Sequence, residues 1–262
     1  MERIESNGKE IGYTTGRGGI RKDRRTLVFV HGSGGSHLYW NFQRRFFQES
    51  HNVVLVDLPG HGTVGGRGED SVTAYAEHLF HLVRTLPRQV TCLVGHSLGG
   101  AIVQTFALLY PDHVEALALV GTGARLKVLP EIITGLQDRS EHTVRMIADY
   151  AFSIETSPEL IQRGVEVMQN TPPVVLLGDF AACNRFDIME RLEEIRVPTL
   201  VVCGSDDRLT PPKYSRYLAE RIPNARLELI DGAGHMVMME QPQQFNRRAM
   251  AFFQSLGGPQ GT

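Results

Sequence analysis

Short, wholly apolar runs recur along this chain, separated by longer stretches in which apolar positions return every three or four residues. Leu27-Val28-Phe29-Val30, Val53-Val54-Leu55-Val56, Cys92-Leu93-Val94, Leu117-Ala118-Leu119-Val120 and Leu200-Val201-Val202-Cys203 have no polar alternation. Strands buried on both faces read this way, as in a parallel sheet covered by helices. Leu227-Glu228-Leu229-Ile230 is a sixth, partly alternating strand. Helical spacing fills the gaps at 38–48, 72–86, 98–109, 212–222 and 242–256. Near the start, Ile4-Glu5-Ser6 and Ile11-Gly12-Tyr13-Thr14 flank Asn7-Gly8, the turn pair of a hairpin.

From Gly123 to about Arg191 this rhythm stops. No clear buried strand appears, and several helical segments are divided by Pro130, Ser157-Pro158 and Thr171-Pro172-Pro173. The stretch predicts an inserted helical lid. Within it Val174-Val175-Leu176-Leu177 reads equally as a strand or as a buried helix or loop segment. No internal repeat or low-complexity tract occurs, and the last residues, 257–262, read as a frayed tail.

Composition narrows the class. With 262 residues, 42% of them hydrophobic and 21% charged, the chain can bury one large α/β core. A net charge of −2 supplies no overall attraction to nucleic acid, and the cluster Arg21-Lys22-Asp23-Arg24-Arg25 reads as a solvated loop before a strand. The amino terminus is charged and lacks a signal-peptide core, and no run is long enough to span a bilayer, so a cytoplasmic location and no membrane partner are expected. Three cysteines, Cys92, Cys183 and Cys203, show no metal-ligand spacing and read as reduced and structural. No metal or organic cofactor is expected.

Gly95-His96-Ser97-Leu98-Gly99 lies between an apolar strand and a helix-forming stretch. That spacing suits a serine at the apex of a tight turn, because neighbours without Cβ atoms let strand and helix approach while the hydroxyl stands clear. A serine hydroxyl needs a base to take its proton and an acid to orient that base. Two later strands end in suitable groups: one runs into Gly204-Ser205-Asp206-Asp207, the other into Gly232-Ala233-Gly234-His235. In an open parallel sheet, groups at the carboxyl ends of strands converge.

The order nucleophile, acid, histidine resembles that of the α/β-hydrolase superfamily, specifically its serine carboxylesterases. The likeness extends over nearly the whole chain through His31-Gly32-Ser33-Gly34-Gly35, Asp57-Leu58-Pro59-Gly60-His61-Gly62, the serine turn and the two late loops. It implies an α/β-hydrolase fold: a mostly parallel, eight-stranded sheet flanked by helices, with core segments 1–123 and 191–262 and a helical lid at 124–190. It also implies Ser97 as nucleophile, His235 as general acid and base, and Asp207 as orienting carboxylate, with Asp206 a turn residue beside it. Backbone N–H groups of Leu98 and Ser33 would receive the developing oxyanion.

The expected reaction is two-step hydrolysis of a small or medium carboxylic ester. Thioesters, lactones and amides share this chemistry, hydroxynitrile lyase and perhydrolase activities also use a serine, and a ligand receptor could retain such a pocket. Aspartate-elbow relatives such as dehalogenases and epoxide hydrolases are disfavoured by Ser97. Phosphate-binding and dinucleotide fingerprints are absent in the required setting.

Other polar residues have structural readings. His96 should pack beneath the turn; His31 and His61 should cap glycine loops; Asp57 should accept backbone hydrogen bonds; Arg208 should be a surface charge. His51, His78, His81, His113 and His142 lie on helix faces or connections. His37, Tyr39 and Trp40 serve ordinary packing before pocket lining. Leu126, Leu129, Ile132, Ile133, Met146, Phe152, Met168 and Phe180 could line a pocket, but most are expected to form the lid's own core.

Overall fold

The computed structural model describes residues 1–86, 91–138 and 141–257. Eight strands form one sheet in the order β1-β2-β4-β3-β5-β6-β7-β8. β1 (Glu2–Ser6) and β2 (Lys9–Thr15) make the hairpin over Asn7-Gly8, and β2 pairs antiparallel with β4 (Asn52–Asp57). β3 (Thr26–Val30), β5 (Thr91–His96), β6 (Ala116–Val120), β7 (Thr199–Gly204) and β8 (Ala225–Ile230) continue it in parallel with β4. The six strand-like runs outside the 124–190 stretch all become strands. The parallel register brings the ends of β3, β5, β7 and β8 to one edge, where the candidate residues sit.

Side-chain alternation divides the core. Leu27 and Phe29 of β3 face a layer with Trp40, Phe47, Phe245 and Phe253, formed by α1 (Asn41–Phe47) with the turn before it and by α10 (Pro242–Ser255). Val28 and Val30 face Tyr75, Leu79, Ile102, Phe106 and Leu218, from α2 (Val72–Thr85), α3 (Leu98–Leu109) and α8 (Pro212–Arg221). Burial on both faces is why these strands lack alternation. The helix expected at 38–48 instead divides into a 3-10 turn, His37–Trp40, and α1, because the Ser36 hydroxyl accepts the Leu38 N–H and tightens the start.

The interruption after β6 is a helical insert: α4 (Pro130–Gln137), α5 (Glu141–Ala151), α6 (Pro158–Gln169) and α7 (Pro173–Arg185). Val174–Leu177 belongs to α7, whose first-turn proline leaves no needed N–H unmade. The insert has its own core of Ile132, Leu136, Val144, Ile147, Ala148, Val165 and Leu176. At its neck, Arg125 bridges Asp187 and the Ile188 N–H donates to the Ala124 carbonyl (2.9 Å). A short helix, α9 (Val237–Glu240), follows the last strand.

Arg25 departs from the solvated reading of its cluster. It is buried, and its guanidinium donates to Glu115 (3.0 Å) and to the Phe253 carbonyl (2.8 Å), tying β3 to α10. The expected tail lies, apart from Gly257, outside the described residues. Among the described residues no helix is long and apolar enough to cross a membrane.

Candidate active site

Ser97 separates β5 from α3 with φ 54° and ψ −117°, a left-handed backbone that a side-chain-bearing residue adopts at a cost of about 1–3 kcal/mol. The surroundings hold it there. Its N–H donates to the Val120 carbonyl (2.9 Å), and the Thr122 hydroxyl donates to its carbonyl (2.9 Å). A Cβ at Gly95 would strike the Gly99 carbonyl, and one at Gly99 would strike that of Val30, so both glycines are demanded by contact. The Ser97 hydroxyl has no hydrogen-bond partner among the described residues and lies on the wall of a cavity.

Asp207 and His235, 28 residues apart, meet behind the cavity wall that His235 lines: His235 Nδ1 is 2.9 Å from Asp207 Oδ2. The Leu209 and Thr210 N–H groups donate to Asp207 Oδ1 (3.0 and 2.8 Å), and the Thr210 hydroxyl donates to Oδ2 (2.8 Å). These donors compensate burial of the carboxylate and leave it one orientation. An Nδ1–H directed at Asp207 leaves Nε2 of a neutral imidazole as acceptor, and no side chain occupies it among the described residues. Asp206 turns away and accepts from the Ser153 and Ser205 hydroxyls. Thr210, also 3.1 Å from His235 Nδ1, is a positioning group not anticipated from sequence; its signal was a hydroxyl three residues after a turn aspartate.

His96 packs against His235, ring centroids 4.6 Å apart, and its Nε2 lies 3.1 Å from the His235 carbonyl. Burial, then the neighbouring His235, depress its pKa well below the ordinary value, so the ring is neutral and donates that bond. The loop after β3 lies beside the elbow: a Cβ on Gly32 would stand 3.0 Å from that of Ser97. Ser33 lines the cavity, and its N–H forms no hydrogen bond among the described residues. Leu98 opens α3, where the helix supplies no carbonyl to its N–H. Both amides are therefore available beside the serine.

The cavity measures about 560 Å³. Leu126, Leu129, Ile132, Met146, Met168 and Phe180 all line it, and four of the six, Ile132, Met146, Met168 and Phe180, also belong to or pack against the insert's own core. Helices of the insert present one apolar edge to each other and another to the opening, so these four residues do both. Tyr39 also reaches the cavity, whereas Trp40 is fully buried between Phe29 and Phe245 and His37 turns to Asp57 (2.9 Å). Arg208 is exposed at the rim, donating to the Asp149 carbonyl, its guanidinium 5.1 Å from the Tyr150 ring centre. Cys183 lies on the wall 3.6 Å from the Ser33 hydroxyl, and burial raises its thiol to about 12, which makes it a poor nucleophile.

Two carboxylates stitch the insert to the loops that carry Ser33 and His235, and neither was singled out in the sequence. Glu240 accepts from the Ser153 N–H (2.8 Å) and Thr156 hydroxyl (2.6 Å) of the insert and from the Gly234 N–H (3.0 Å) beside His235. Asp179 of α7 is fully buried and accepts from the Gly34 N–H (2.9 Å), His61 Nε2 (2.8 Å) and the Tyr75 hydroxyl (2.7 Å). The other ring nitrogen of His61 faces the Pro59 carbonyl (3.0 Å), so both nitrogens must donate and the ring is an imidazolium. Burial opposes that charge, but Asp179 outweighs it and raises the His61 pKa.

His31, 4.8 Å away ring to ring, is the opposite case. It accepts from the Leu58 N–H (3.2 Å) and lies 2.8 Å from the Gly32 carbonyl, and burial, then the His61 charge, push it down to about 4. Asp57 accepts from the His37 and Thr63 N–H groups (2.7 and 2.9 Å); against the opposing effect of burial, the His37 hydrogen bond and its neighbours hold it down at about 2. Among the described residues no group of three or more His, Cys, Asp or Glu could hold a metal ion.

The sequence profile described as "Alpha/beta hydrolase family" matches residues 27–248. A solved structure titled as that of a thermophilic esterase superposes with a TM-score of 0.84 at 35% identity, covering 98% of each chain. Est816, described as an N-acyl homoserine lactone degrading enzyme, superposes with a TM-score of 0.84 at 25% identity, covering 96% of this chain and 100% of that one. The 2-hydroxy-6-oxononadienedioate/2-hydroxy-6-oxononatrienedioate hydrolase of Burkholderia vietnamiensis is 32% identical over 253 residues, 86% of each chain. The chain belongs to the α/β-hydrolase family.

Proposed function

We propose that this α/β-hydrolase is a serine esterase that cleaves small or medium carboxylic esters through an acyl-enzyme on Ser97. The observation that carries this reading is the sharing of one apolar cavity by the Ser97 elbow and a His235 already oriented by Asp207. Ser97 attacks the ester carbonyl while His235 Nε2 takes its proton. Asp207 keeps Nδ1–H in place and stabilises the imidazolium that forms. The carbonyl oxygen becomes an anion received by the Ser33 and Leu98 N–H groups. Collapse expels the alcohol, which takes the proton from His235, and water then frees the acid by the same steps in reverse.

The cavity's Leu, Ile, Met and Phe side chains suit an aliphatic or aromatic acyl group, and a volume of about 560 Å³ accommodates a small molecule, not a polymer. Relatives named for an esterase, a lactone-degrading enzyme and an oxononadienedioate hydrolase share the family, so the choice of acyl compound belongs to this lining and not to the serine. The test is turnover of p-nitrophenyl esters of graded chain length. Sustained release that Ser97→Ala abolishes supports the reading, whereas a single stoichiometric release followed by silence would favour a ligand receptor.

A further inference from the structure

The insert does more than wall the cavity, because two of its residues grip the loop that carries Ser33. Gly34, the next residue, has its N–H held by Asp179 of α7 (2.9 Å) and its carbonyl held by the Thr171 hydroxyl from the α6–α7 connection (3.0 Å). Its φ is +63°, and a Cβ there would press 2.7 Å from Leu176 and 3.0 Å from Met168, so the insert packs directly on this peptide. Asp179 and Thr171 are buried, and neither lines the cavity. Asp179 is itself immobilised by His61 and Tyr75, which belong to the core. Its Oδ2 accepts from Gly34 and His61 together, so the His61 proton and the Gly34 backbone are set by one atom.

We propose that Asp179 and Thr171 are positioning residues for the oxyanion site: by fixing both polar groups of the Gly34 backbone, they set the direction of the Ser33 N–H. This rests on the assignment of Ser33 as an oxyanion donor. A donor that must meet charge present only in the transition state gains from being held in advance, and a shift of about 1 Å can cost about 100-fold in rate. Such a clamp acts on kcat. Loss of mere cavity shape would act on KM.

The experiment compares wild type, Asp179→Asn and Thr171→Val on p-nitrophenyl butyrate, with n-butylboronic acid as a tetrahedral mimic. Asp179→Asn keeps the size of the side chain but replaces one of its two acceptor oxygens by an NH2 donor and removes the charge, so the grip on Gly34 and His61 or that on Tyr75 is lost. We expect kcat to fall roughly 10- to 100-fold with KM within about threefold, and boronic acid affinity to fall in step with kcat/KM. Thr171→Val, which removes one donor at nearly constant volume, should lower kcat about 3- to 10-fold in the same pattern. If Asp179→Asn does not fold, Thr171→Val decides alone. Folded variants with wild-type kcat, or with only KM raised, overturn the clamp. Stoichiometric labelling of wild-type Ser97 by diethyl p-nitrophenyl phosphate separates the two ideas: without labelling or turnover the esterase reading falls and takes the clamp with it, whereas labelling with unchanged kcat in both variants removes the clamp alone.

Discussion

Two buried histidine–aspartate pairs of nearly equal length lie in different parts of this molecule. His235–Asp207 spans 2.9 Å at the ends of β7 and β8, and His61–Asp179 spans 2.8 Å between the loop after β4 and α7. Among the described residues Asp207 meets four N–H or O–H donors and Asp179 three. The difference lies at the far nitrogen. In His235 it opens on the cavity; in His61 it ends on the Pro59 carbonyl. A histidine can exchange a proton with a ligand only if one nitrogen is left unengaged, so the first pair is poised for chemistry and the second is a cross-link. Charge follows the same division, since a ring facing two acceptors must carry two protons.

The largest effects should come from the open pair. Ser97→Ala and His235→Ala are expected to lower kcat roughly 10⁴- to 10⁶-fold, the first with little change in Tm because the Ser97 hydroxyl has no partner among the described residues to lose. If His61→Ala lost as much activity as His235→Ala at equal Tm, the distinction between the pairs would fail. Asp207→Asn should cost about 10³- to 10⁴-fold, because the Leu209 and Thr210 N–H groups keep the amide oxygen at the Oδ1 position and so place its NH2, a donor, against Nδ1, while Asp206→Asn stays within about tenfold. A reversal of those two would move the orienting acid to Asp206. Steady-state kinetics on one ester settles both.

The closed pair should register in stability. His61→Ala leaves the Asp179 charge buried without its cation, a loss of about 3–5 kcal/mol readable in urea denaturation. A cost below about 1 kcal/mol would mean the pair is not ionic. The smallest effect is a pH dependence. Because the folded pKa of His61 is raised, its contribution is complete below about pH 6.5, where the unfolded ring is also protonated, and declines as pH rises through the folded value. The depressed His31 and His96 act in the opposite sense, so the readout is the Tm difference between wild type and His61→Gln. That gap should narrow with rising pH; a constant gap would refute the charge assignment.

Much of this arrangement could be read along the chain, and the reason is locality. Glycines at 95 and 99 announce the elbow because they are needed by neighbouring atoms, and strand-ending glycines place Asp207 and His235 at fixed offsets. The partners of Asp179 lie 118 and 145 residues away, at His61 and Gly34, and no local pattern announces a carboxylate that will be buried by distant elements. Thr171 and Glu240 were hidden for the same reason. Apolar residues of the insert posed a different difficulty: periodicity marks which positions leave water, but it does not distinguish a neighbouring helix from an open cavity, and Met146, Met168 and Phe180 touch both the insert's core and the cavity. The opening of the helix at 38–48 hinged on one hydroxyl, that of Ser36.

Glu240 receives two donors from the insert and a third from the peptide next to His235. An engineer who transplants this cap from a sister protein to alter substrate preference would therefore also disturb the loop that holds His235, the proposed general base. A chimera that omits the hydroxyl at 156 or the carboxylate at 240 should lose rate on every substrate alike, a penalty easily mistaken for poor selectivity.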